Sequence, residues 1–107
     1  MILEKDFLAT VVEMAQAYGW LVHHVLESRH YAKRIGPGYP DLTMASTPPM
    51  RPRIIFAELK RDGAKATKLQ KQWLEALGRC AEGPPVEVYL WTPKDWDTIE
   101  RILGEGR

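Results

Sequence analysis

An α/β domain is predicted, with a mixed sheet of about four strands flanked by helices in the order α-β-β-β-α-β-α. Three observations carry this: three stretches with apolar residues at helical spacing, four short β-type runs, and clean glycine and proline breaks between them. The 107 residues, 45% hydrophobic and 27% charged, suit one domain with one modest core spanning residues 1–107.

The first helix is read from Leu3 to Tyr18, where Phe7, Val11, Met14, Ala15 and Tyr18 recur on one stripe and Gly19 supplies a stop. Glu4 lies one turn before Phe7. It either points towards the interior or a site, or serves the positive end of the helix dipole. Trp20 to Leu26 is short and rich in β-branched and aromatic residues, as a strand would be, and runs into a basic loop ending in Gly36-Pro37-Gly38. No helix follows those glycines, so they are not a dinucleotide fingerprint. Asp41 to Ala45 and Arg53 to Lys60 are expected to pair antiparallel across a turn holding Pro48, Pro49 and Pro52.

After Asp62-Gly63, a second helix is expected from Thr67 to Ala81, with Leu69, Trp73, Leu77 and Cys80 near one face. That stripe makes Trp73 a core anchor more than a base-stacking platform, and Cys80 a small core residue more than a nucleophile. Gly83-Pro84-Pro85 ends it. Val86 to Trp91 reads as the fourth strand, and Thr92-Pro93-Lys94-Asp95 as a helix start with proline at the first helical position. Trp96, Ile99, Ile102 and Leu103 make the last helix amphipathic.

No apolar run is long enough to span a bilayer, and the N-terminus lacks the order of a signal peptide, so a soluble, cytoplasmic protein is expected. A single cysteine excludes an intrachain disulfide. The net charge of +1 gives no global hint of a nucleic-acid partner. Two segments are nevertheless basic: Arg29, His30, Lys33 and Arg34, and Lys60, Arg61, Lys65, Lys68 and Lys71. Such runs mark either a phosphate-binding surface or a solvated face.

The chemistry concentrates in Gly38-Tyr39-Pro40-Asp41-Leu42 and Phe56-Ala57-Glu58-Leu59-Lys60. Glu58 and Lys60 share one strand face, and a hairpin brings Asp41 to the same end. Two carboxylates there suit a hard cation such as Mg2+ or Mn2+, and the lysine can orient a water or offset charge on a phosphate. A surface salt bridge accounts for a lone Glu-x-Lys more often than catalysis does. His23 and His24 fall on opposite strand faces and form no paired ligand set; His24 is the better site candidate.

These motifs, with Glu4-Lys5-Asp6-Phe7, Gly19-Trp20, His24, Ser28-Arg29, Gln70 to Leu74 and Val88 to Pro93, resemble the virus-type replication-repair nuclease (VRR-NUC) domain of the PD-(D/E)XK nuclease superfamily along nearly the whole chain. The resemblance implies a restriction-endonuclease-like core and a Mg2+- or Mn2+-dependent endonuclease cutting DNA, branched or junction DNA in particular, in a bacterial or phage-infected cell. Asp41 and Glu58 would be metal ligands, with the Leu59 carbonyl a third. Lys60 would assist the attacking water, and Glu4 and Gln70 would support the site. His24, Ser28, Arg29, Lys33, Arg34, Lys65 and Lys68 would contact DNA. A homodimer follows from the same resemblance, since cutting two strands of a junction with one site per chain calls for two copies. A non-catalytic nucleic-acid-binding module on this fold, or an RNA-directed nuclease, is the alternative. The loop from His30 to Gly36 is longer than the family pattern.

Overall fold

The computed structural model describes residues 2–24, 37–83 and 85–105. Helix α1 (Glu4–Ala17) leads into strand β1 (Leu21–His24), followed by β2 (Leu42–Ala45), β3 (Ile54–Leu59), helix α2 (Lys68–Cys80), β4 (Val86–Trp91) and helix α3 (Trp96–Gly104). The sheet order is β1-β2-β3-β4, antiparallel except for the parallel pair β3–β4. The mixed four-stranded sheet flanked by helices that the sequence predicts is therefore present, and α2 is the crossover that a parallel pair requires.

Local sequence sets the boundaries. Helix α1 ends in a Schellman turn: Gly19 takes φ +97°, its N–H donates to the Gln16 carbonyl, and the Trp20 N–H reaches back to Ala15. The β2–β3 turn is stitched by Ser46, whose hydroxyl donates to the Arg51 carbonyl and accepts the Arg53 N–H. Thr47 ties this turn to the end of α1 by donating to the Gly19 carbonyl. At the last helix, Asp95 accepts the Thr92 N–H, and Pro93 opens a short 3-10 turn over Pro93–Asp95 before α3 begins.

Alternation in β3 separates two faces. Ile55, Ala57 and Leu59 pack with Leu42, Met44 and Trp91 beneath α1 (Phe7, Val11, Ala15) and α3 (Ile99, Ile102, Leu103) in one hydrophobic core. Its edge is closed by Arg53, which is buried, pairs through two nitrogens with Glu87 at 2.6 and 2.8 Å, lies over the Trp20 ring, and donates to the carbonyl of Ile102. Burial raises the Glu87 carboxyl, but hydrogen bonds from Arg53 and Tyr89 outweigh it and leave it below the usual carboxylate range.

Helix α2 covers the other face, and here two expectations are corrected. None of its described residues is buried: Leu69 is 47% exposed and Cys80 is exposed, so neither is a core residue. Trp73 is half-buried and anchors the helix by an edge contact with Tyr39, which in turn meets Phe56 edge-on. Periodicity identified the apolar stripe, but among the described residues no other helix packs along it to complete its burial. No described helix is long and apolar enough to cross a membrane.

Candidate active site

The ends of five elements converge at one end of the sheet. They line a cavity of about 430 Å³ with Glu4, Lys5 and Leu8 from α1, His24 from β1, Asp41 at the entry to β2, Glu58, Leu59 and Lys60 at the exit of β3, and Gln70 from the first turn of α2. The strand register explains the central pair. Leu42 lies opposite Ala57, so one step further sets Asp41 opposite Glu58 on the same face.

Two backbone contacts fix this arrangement. Asp41 Oδ2 accepts the Leu59 N–H at 2.8 Å, which locks the proline-aspartate loop onto the end of β3. Gly38, at φ +88°, lies so close to α2 that a Cβ would fall 2.7 Å from the Leu69 carbonyl carbon and 2.8 Å from the Gln70 nitrogen. Only glycine meets both demands, so the loop that carries Asp41 rests directly on the helix turn that carries Gln70.

In the electrostatics of the site, burial and like charge outweigh the nearby lysine. Glu58 is 1% exposed, and its Oε2 is buried with no hydrogen-bond partner among the described residues. Burial pushes its carboxyl up, the hydrogen bond and charge of Asp41 and the charge of Glu4 push the same way, and Lys60 opposes them; the outcome is about 9. Like charges directly opposite on paired strands repel, and a buried carboxylate without a partner is costly. Below about pH 9 the Glu58 carboxyl therefore keeps its proton.

That donor set fits a hard divalent ion. Asp41 and Glu58 offer carboxylate oxygens and Leu59 a carbonyl, while no cluster of three or more His, Cys, Asp or Glu side chains forms a closed metal cage among the described residues. Two carboxylates and a carbonyl leave several positions for water, as Mg2+ prefers.

The remaining sequence candidates divide. Glu4, His24 and Gln70 line the cavity; Lys65 and Lys68 are exposed, before and at the start of α2, and do not line it. Ser28, Arg29, Lys33 and Arg34 lie outside the described residues. Lys5 also lines the cavity and was not among the sequence candidates. Its signal lay in helical spacing, because Leu8, which also lines the cavity, follows Lys5 by three residues and Glu4 by four.

No protein-family model and no curated protein matches this sequence. A solved structure described as a VRR_NUC domain protein does match in shape, with a TM-score of 0.68 and 19% identity over 99% of this chain and 88% of that one. This chain therefore shares the fold of that VRR_NUC domain protein.

Proposed function

We propose that the chain is a Mg2+- or Mn2+-dependent endonuclease that hydrolyses phosphodiester bonds in DNA, preferring branched or junction substrates and working as a homodimer. The observation that carries this is the cross-strand Asp41–Glu58 pair, with a buried, unpartnered carboxylate oxygen, in one cavity with Lys60.

Asp41, Glu58 and the Leu59 carbonyl would hold the ion. When bound, such an ion supplies Lewis-acid polarisation of phosphate and acidifies water. The chain's own groups do the rest. The Leu59 N–H keeps Asp41 from turning away. As the water oxygen bonds to phosphorus and the bond to the leaving strand end breaks, negative charge grows on the non-bridging oxygens. The Lys60 ammonium orients the water and offsets that charge, which a fixed group does without reorganising. Lys5 adds a second cation at the rim. Exposed Lys65 and Lys68 would hold the phosphate backbone, giving affinity without sequence information. Cutting paired strands with one site per chain would require two copies.

A cleavage panel tests this: linear, flapped, nicked and four-way-junction DNA, with matched RNA, in Mg2+ or Mn2+. Metal-dependent cutting with a preference for the branched DNA is expected. Binding without cutting on every substrate would make the chain a non-catalytic module, and preferential cutting of RNA would reassign its substrate.

A further inference from the structure

Gln70 serves two structures at once, and chemistry assigns one end of its amide to each. It stands three residues after Thr67, the N-cap of α2. Its backbone N–H donates to Thr67 Oγ1 at 3.2 Å, and its side-chain Oε1 accepts the Thr67 N–H at 2.8 Å. Only an oxygen can accept a backbone N–H, so the orientation of the amide is not arbitrary. Oε1 is turned back to the cap, and Nε2 is what Gln70 can offer the cavity it lines. That nitrogen makes no hydrogen bond to another described residue.

We propose that Thr67 is a positioning residue for hydrolysis: through this reciprocal cap it holds the Gln70 amide so that Nε2 donates to a non-bridging phosphate oxygen of the bound strand. The inference rests on the nuclease reading. In this reading Gln70 contacts the substrate through Nε2, while its Oε1 serves the cap.

The choice of residue supports this. Glutamate closes such a capping box as well as glutamine does, and its charge suits a helix N-terminus better. In this cavity it would add a fourth carboxylate beside Glu4, Asp41 and Glu58, where an incoming phosphate is itself an anion. Glutamine keeps the cap and contributes two N–H donors. The direct contact of Gly38 with the Leu69–Gln70 backbone then sets the spacing between the amide and Asp41.

Gln70→Glu is the sharp test, because it preserves both cap bonds while replacing the donor. It should fold with an undiminished melting temperature yet lose about tenfold or more in kcat/KM, the scale of one charge-assisted hydrogen bond. Thr67→Val should lose activity in the same direction, Thr67→Ser should restore it, and both Gln70→Ala and Thr67→Val should bind Mn2+ without DNA as the parent does. Wild-type kcat/KM in both Gln70→Glu and Thr67→Val overturns the proposal, as does weakened Mn2+ binding in Gln70→Ala. DNA affinity measured in Ca2+ separates the two readings. A parent protein that binds DNA but never cuts it sinks the nuclease reading, while a loss of affinity in Gln70→Glu still reports the phosphate contact.

Discussion

Along β3, Ile55, Ala57 and Leu59 alternate with Ile54, Phe56 and Glu58, and the two sets live in different surroundings. The first set is 0–2% exposed under α1 and α3; of the second, the apolar Ile54 and Phe56 remain half-buried under α2, yet the acid is 1% exposed. Burial for stability favours the opposite order, with the hydrocarbons sealed and the carboxylate in water. The inner face thus holds the fold together. The outer face leaves apolar surface partly open while enclosing a carboxylate at a cost to stability, which is why that end of the sheet is the candidate site.

The largest effect should come from the enclosed acids. Asp41→Asn or Glu58→Gln should lower cleavage roughly a thousandfold or more while the protein stays folded, since each removes a ligand charge and little volume. Cleavage rates with saturating Mg2+ check this, and parental rates would remove the metal pair from the account. Next, Ile99→Ala should cost about 2–5 kcal/mol of stability, whereas Leu69→Ala on α2 should cost less than about 1 kcal/mol. Denaturant melts of the two variants test the contrast between faces; equal costs would erase it.

Lys60→Met should reduce turnover about a hundredfold while keeping ion affinity, because it deletes an ammonium and no ligand. Single-turnover rates beside Mn2+ titrations separate those two quantities. The smallest effect is expected at the exposed lysines. Replacing Lys65 and Lys68 by alanine should weaken DNA binding across sequences and change the log-log salt slope by about one unit per lost contact. An unchanged slope would return them to a solvated helix face.

Much of this was legible in the sequence because it depends on local rules. Gly19, the proline turn and Thr92-Pro93 mark boundaries through backbone conformation, and strand alternation sets Glu58 and Lys60 on one face. What was not legible depends on how much covers a face. The stripe of Leu69, Trp73, Leu77 and Cys80 has the periodicity of a buried helix, but the spacing is the same whether a partner seals it or not. Arg53, just before β3, and Glu87 on β4 are 34 residues apart, and no local pattern reveals the parallel register that brings them together, so their buried pair was missed. The site's acids and lysine were readable because a hairpin is the shortest route between them. Thr67 was readable only as a helix start, since its link to the cavity runs through a side-chain amide.

The enclosed pair also fixes a pH dependence. Glu58 is raised from 4.5 to about 9, so its protonated form stabilises the metal-free fold at low pH, and that contribution is lost as pH rises through about 9. The slope can reach at most about 1.4 kcal/mol per pH unit. An ion must displace that proton, so its affinity should rise with pH over the same window. The direct test is calorimetric titration of the metal-free protein with Mn2+ at pH 7 and pH 8, in buffers of different ionisation enthalpy. Saturable binding that tightens with pH, releases close to one proton per ion, and is lost in Glu58→Gln and Asp41→Asn is the predicted result. Absence of binding, or equal binding with no proton release in Glu58→Gln and the parent, would contradict the assignment of this pair as a cation site.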